Sequence, residues 1–189
     1  MQAFEYLGVL ISVVIGLALT HLVVGVVAVI QSRQSAKLYW VHLLWTFNVL
    51  FFLLQFWWFF YSWQALTEWS AGMFYLFVAY ALCLSIIAGL LFPVRGSVTD
   101  FCEFYFDHAR WLFATLVIVN LIDIVEVMSK ANAGIRPVPP EYIPYVSFVI
   151  IASLIAAITK NRHYHAFFAV AFFVFSAGYE FVIFSPIGN

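Results

Sequence analysis

The chain is poor in charge. Of its 189 residues only 9% are Asp, Glu, Lys or Arg, where a soluble domain carries about 25%. Lys and Arg number 8 against 9 Asp and Glu, for a formal net charge of -1. No basic face of the kind that holds a nucleic-acid backbone is available. Cysteine is equally scarce. Cys83 and Cys102 fall in or beside apolar runs, too few and too far apart for a disulfide framework or a zinc site. They read as two reduced, buried small hydrophobes. No GxSxG or HExxH pattern occurs, so the common nucleophilic and zinc hydrolases are not indicated, and nothing in the sequence asks for an enzyme. Residues 1–5 lack a basic segment, and no small-residue cleavage pattern follows the first apolar run. That run therefore reads as a retained helix and not as a signal peptide.

What is abundant is apolar surface. The chain is 66% hydrophobic and 21% aromatic, against about 45–50% apolar in ordinary soluble domains. Lipid is the solvent such a composition calls for. The expected fold is all-α: a polytopic integral membrane protein, a single domain over 1–189, with six transmembrane helices near 4–30, 38–61, 72–94, 111–128, 145–159 and 166–187. Between the third and fourth, Asp100 with Glu103 three residues later resembles a capping box. It opens a short amphipathic interfacial helix whose Asp100, Glu103 and Asp107 share one face beside His108. That face reads as solvated; its spacing also suits a divalent cation. Pro137, Pro139, Pro140 and Pro144 exclude regular helix from the loop before the fifth span. No sequence repeat relates residues 1–94 to 95–189, and three spans in each half would make any structural repeat an inverted one.

Two stripes stand out on this background. In the first span Gly8, Ser12, Gly16 and Thr20 recur every four residues, the small-xxx-small pattern by which membrane helices pack closely. Glu5 begins the same face and His21 lies next to Thr20. In the fourth span Asn120, Asp123 and Glu126 recur every three. Residues 111–122 separate Arg110 from Asp123, about 18 Å of charge-free helix against about 30 Å of hydrocarbon. Either a charged group lies at membrane depth, or Asp123 and Glu126 mark the membrane surface. An ionisable group at depth is costly and marks a functional site by default. Glu180 presents the same situation in the sixth span. Trp57, Trp58, Tyr61 and Trp63 read as an aromatic belt at the headgroups.

Charge sorts the loops. Arg33, Lys37, Arg95, Arg110, Lys160 and Arg162 fall in the loops after spans one, three and five. Only Lys130 and Arg136 fall on the other side. The positive-inside rule then makes loops 31–37, 95–110 and 160–165 cytoplasmic and both termini external, in a plasma (inner) membrane. In that orientation Glu5, Asp123, Glu126 and Glu180 lie in the outer half, and the five histidines lie in the inner half or at its edge. Carboxylates at one depth and titratable histidines at another suit a proton relay or a cation vestibule. A b-type haem needs two histidines at matched depth. His21 lies about 18 Å from Arg33, and His42 about 7 Å from Lys37, along their helices. The sequence therefore requires no cofactor.

Two functions are expected on these grounds. One is a small channel or transporter for protons or cations, with Asp123, Glu126, Glu180, Asn120 and Glu5 as its pathway and His21 as an inner relay. The other is an accessory or assembly subunit of a larger membrane complex, suggested by the short loops and the small-residue face of the first span. Under either, the bilayer is the principal partner and a homo-oligomer is compatible.

Overall fold

A computed structural model describes residues 3–66, 68–94 and 96–184, with the backbone alone for residue 3 and for 179–184. The described residues form helices joined by loops, with no strand. Its helices are α1 (Ala3–Ser32), α2 (Trp40–Tyr61), α3 (Ala71–Leu91), α4 (Phe101–Asn132), α5 (Tyr142–Ile158) and α6 (Arg162–Phe184), and a short 3-10 turn, Ser62–Ala65, follows α2. Four helical segments, Phe4–Ser32, Trp40–Ala65, Ala71–Leu91 and Phe101–Asn132, are long and apolar enough to cross a membrane. The α5 helix is apolar but has 17 residues, about 26 Å of rise.

Each helix buries one stripe. On α1 it is Leu7, Ile11, Ile15, Ala18, Leu22 and Val29; on α3 it is Phe77, Tyr80, Ala81, Leu84, Ile87, Ala88 and Leu91. These positions recur at three, four and seven residues, with Ala81 and Ala88 beside them, and so keep to one face of a 3.6-residue helix. The opposite faces expose Val9, Val13, Leu17, Val24, Leu54, Ile86, Ile118, Leu121 and Ile151. In water such a surface would be an aggregation liability; in a bilayer it is solvated. The α3 helix packs between α1 and α4, α4 also packs on α5, and α2 lies against α3 and α6.

The helix ends follow from local chemistry. Asp100 Oδ1 accepts the backbone N–H groups of Cys102 at 2.9 Å and Glu103 at 3.2 Å, so Asp100 caps α4 as its spacing predicts. At the far end Gly134 adopts φ 68°. Its N–H donates to Ala131 O at 3.1 Å and that of Ile135 to Lys130 O at 3.1 Å, a Schellman closure that only glycine enters without strain. Ser70 caps α3 through Met73 N–H. Asn161 caps α6 through the N–H groups of His163 and Tyr164.

Two boundaries differ from expectation. Residues 101–110 do not form a separate interfacial helix. They are the first turns of a continuous 32-residue α4, because nothing after Ala109 breaks the helical pattern. Their amphipathic character remains: Phe101, Tyr105 and Ala109 are buried, while Glu103, Asp107 and Arg110 are exposed. The α5 helix also begins earlier than the prolines suggested, at Tyr142. Pro144 sits in its first turn, where the missing N–H has no helical acceptor to lose.

The loops gather at two ends. Lys37 N–H donates to Thr99 O at 2.9 Å, Phe101 N–H to Lys37 O at 3.0 Å, and the Lys37 ammonium lies 3.7 Å from Asp100. Lys160 and Arg162 border the same depression as Asp100. The loops that carry most of the basic residues thus meet at one end. Trp63, Lys130 and Tyr142 meet at the other.

Candidate functional site

At that second end the α4 stripe faces a cavity of about 60 Å³, roomy enough for water. Asn120, Asp123, Glu126 and Lys130 of α4 line it together with Gln55 of α2, Tyr142 and Tyr145 of α5, and Ser176 of α6. Arg136, from the loop between α4 and α5, lines it as well.

Each carboxylate has partners from other elements. Tyr80 of α3 donates its hydroxyl to Asp123 Oδ1 at 2.7 Å. Tyr142, the first residue of α5, donates to Oδ2 at 2.9 Å. Asp123 thus ties three helices. Glu126, 4% exposed, accepts the indole N–H of Trp63 at 2.6 Å. The same oxygen lies 2.6 Å from the Lys130 ammonium, one turn on along α4. Lys130 also donates to Phe59 O at 3.3 Å and lies 5.5 Å and 5.7 Å from the ring centres of Phe59 and Trp63. A buried charge pair needs further donors and acceptors around it, and here Glu126 Oε1 also takes the Trp63 indole and Lys130 also donates to Phe59 O. Asn120 Nδ2 donates back to Leu116 O at 2.7 Å, and Tyr145 and Ser176 share a hydroxyl bond of 2.9 Å.

The structure therefore brings Asn120, Asp123 and Glu126 into one site. It places Glu5 on the exposed side of α1, away from the cavity lining. The side chain of Glu180 lies outside the described residues. His21 is at the other end, its Nε2 3.2 Å from Phe92 O. His42 Nε2 is 2.6 Å from Leu91 O. Both rings serve carbonyls that the end of α3 leaves without a helical donor. His165 bridges Tyr105 at 2.8 Å and Thr159 O at 2.9 Å.

The small-residue stripe of α1 sits largely outside the bundle. Ser12 and Thr20 turn their hydroxyls back onto Gly8 O and Gly16 O. Gly8 approaches Phe60, and a side-chain carbon added at Gly16 would meet no atom within 4 Å. The glycine that α1 needs for close packing is Gly25, where an added Cβ would fall 2.2 Å from the Phe92 ring.

Trp63, Tyr80, Tyr142 and Lys130 were not singled out from sequence as site residues. Only Lys130 carries a legible signal, because a Glu followed four residues later by a Lys pairs on one helix face. The tyrosines reach Asp123 from sequence distances that no spacing rule connects. Among the described residues no group of three or more His, Cys, Asp or Glu side chains is gathered to hold a metal ion, and the acidic turn at 100–107 forms no such group. No family model matches the chain, and neither does any curated protein or solved structure.

Proposed function

We propose that the chain moves protons across a membrane and that Asp123 is the group that takes them up and releases them. The observation that carries this reading is the setting of Asp123. It is a carboxylate in the apolar part of α4, at a cavity that admits water, with each oxygen held by a hydroxyl from a different helix. Ionised Asp123 accepts both hydroxyls. Protonated Asp123 keeps one strong acceptor oxygen and gains a donor at the other, so the tie at the protonated oxygen, to α3 or to α5, weakens. Proton occupancy is thereby coupled to how α4 sits between its neighbours, which is what alternating exposure of a single site requires.

The same geometry favours protons over metal cations. Lys130 and Arg136 share the cavity with Asp123 and Glu126, and a bare cation entering it would meet two fixed positive charges. The basic loops are assigned to the cytoplasmic side and both termini to the outside of a plasma (inner) membrane, which puts the cavity in the outer half.

The test is pH-jump flux in proteoliposomes containing the purified chain and an internal pH dye. Wild type is expected to relax an imposed gradient and Asp123→Asn to lose that activity with its helical content intact. Equal rates for the two proteins would sink the proposal.

A second reading, an accessory subunit or homo-oligomer, is favoured by one specific observation. The Ser12, Gly16 and Thr20 side of α1 is exposed, and it is the kind of face on which a second membrane helix packs closely. Gentle extraction from native membranes decides this: stoichiometric partners would support it, and a monomer would count against it.

A further inference from the structure

A second and larger opening lies between α5 and α6, at the end of the bundle that holds Asp123. It is a groove of about 780 Å³, walled by Pro140, Glu141, Pro144 and Phe148 on one side and by Val174 and Gly178 on the other. Phe148 also packs edge-on against Phe175 at 5.1 Å and Phe168 at 6.2 Å between ring centres. Tyr145 borders both this groove and the Asp123 cavity. Its hydroxyl is bonded to Ser176, which lines the cavity and not the groove.

Neither emptiness nor water suits this space. Protein interiors leave few voids larger than a water molecule, and the groove is about five times the size of an engineered cavity of about 150 Å³ that takes up benzene. A water needs two to four polar partners. The side chains of the walls offer the Glu141 carboxylate and the Tyr145 hydroxyl, and the hydroxyl is already bonded. The groove opens onto apolar surface: Ile143, Ile151 and Val174 are 49%, 58% and 56% exposed. In a bilayer the medium at such a surface is acyl chain.

The head of the lipid must then decide which lipid stays. A chain gains little hydrophobic energy on passing from the bilayer into the groove, because lipid tails are as apolar as the walls. Glu141 is the one charged side chain among the described residues that line the groove. It is exposed, and among the described residues it forms no ion pair. It also precedes the first turn of α5, so it stands at the end of the groove, with Phe148 about 10 Å deeper along the axis. A carboxylate there favours a head that ends in a primary ammonium, which brings positive charge and three N–H donors. A choline head has the charge without the donors. A phosphoglycerol head adds only negative charge.

We infer that this groove is a lipid site. One acyl chain of a phosphatidylethanolamine lies along Pro144, Phe148 and Gly178, with its ammonium at Glu141. The site rests on the chain lying in a bilayer and not on the proton reading of Asp123.

The experiment uses the full chain in phosphatidylcholine nanodiscs. Each carries a small share of a phospholipid with a photoreactive diazirine on one acyl chain and an ethanolamine, choline or glycerol head. After illumination the labelled residues are mapped by mass spectrometry. Label is expected to concentrate on residues 140–148 and 174–178. The ethanolamine lipid is expected to label them about two- to fivefold more than the choline lipid, the range that an exposed charge contact supplies. Glu141→Gln is expected to erase that preference and leave the chain labelling in place. At Gly178 an added Cβ would meet no atom within 4 Å. Gly178→Phe therefore sets a ring in the groove, and loss of the label at residues 140–148 is expected. Gly178→Ala leaves the groove open and is expected to keep it, with the same helical content by circular dichroism in both. Label spread evenly over the lipid-facing side of α1, equal labelling by the three heads, or a preference that survives Glu141→Gln overturns the site. So does a cross-link between two copies through residues 140–148, which makes the occupant a helix of a second chain.

Discussion

Replacing Lys130 with methionine removes the ammonium while keeping the bulk of the side chain. Glu126 is then left with the Trp63 indole as its partner in a site where the two charged side chains are only 6% and 8% exposed. At 2.6 Å and an effective dielectric of 20, the lost attraction is about 6 kcal/mol. Much of that is offset in the folded protein by the several kcal/mol needed to desolvate each ion. The two effects separate on mutation. Removing one partner strands the other and is expected to cost about 3–5 kcal/mol, whereas removing both charges together is expected to be close to neutral. Lys130→Met and the double variant Glu126→Gln, Lys130→Met therefore have opposite fates. Glutamine still offers Trp63 an acceptor, so the double variant keeps the tie to the turn after α2. The assay is reversible unfolding in mixed micelles by SDS titration, followed by circular dichroism, with both single variants and the double in one thermodynamic cycle. A coupling of at least about 2 kcal/mol is expected between positions this close. A Lys130→Met protein within about 1 kcal/mol of wild type, or a double variant no more stable than the sum of the singles, would refute the account of Glu126 as a desolvated partner of Lys130.

Gly25→Ala pushes a Cβ to within 2.2 Å of the Phe92 ring, and Phe92 packs edge-on against His42 at 5.0 Å; a loss of about 1–3 kcal/mol in the same titration is expected, with partial recovery when Phe92 is shortened to leucine. Asp100, at the basic end, is held below the usual carboxylate range, chiefly by the Glu103 N–H, and its lowered pKa means a stabilising contribution present above its unfolded value near pH 3.9 and lost as pH falls through its lower folded value. Asp100→Asn keeps a capping oxygen but no titration, so its unfolding midpoint should depend less on pH below about 4 than that of wild type; matching slopes would contradict the assignment.

The fold class was legible because lipid imposes it. With two thirds of the residues hydrophobic and every backbone group needing an internal partner, helices are the only structure open to long uncharged runs. The Asp100 cap was legible because its partners lie two and three residues away. The Schellman closure at Gly134 could have been read the same way. The early start of α5 could not be read from proline content alone, since a proline in a first turn and a proline in a loop look alike until the turn is located. Of the site, sequence gave the α4 stripe and not its partners. Tyr80 and Tyr142 lie 43 and 19 residues from Asp123, and the bonds exist only once α3, α4 and α5 are packed. Trp63 read as a lipid-facing belt residue because nothing in a helical projection shows that the 3-10 turn after α2 folds its indole inward onto Glu126.

The two kinds of stripe have different consequences. Polar positions every three residues drift by about 60° per step of 4.5 Å; positions every four drift by about 40° per step of 6 Å. A period-three row therefore winds round its helix twice as fast, about 13° per Å against about 7° per Å. Such a row cannot stay against one neighbour. On α2, His42 reaches the end of α3, Trp45 packs on α4 and α6 through Phe113 and Phe168, and Asn48 bonds α6. On α4, Asn120 bonds its own helix, Asp123 takes α3 and α5, and Glu126 takes the turn after α2. Rows of this kind bind several elements at once, which makes them costly to disturb and able to transmit a change at one position to several helices. The period-four stripe of α1 holds to one side and, in this chain, leaves that side open. The polar chemistry of the molecule is thus concentrated where helical geometry forces three or more elements to share it, and Asp123, tied to α3 and α5 at once, is the position at which the proton reading uses that concentration.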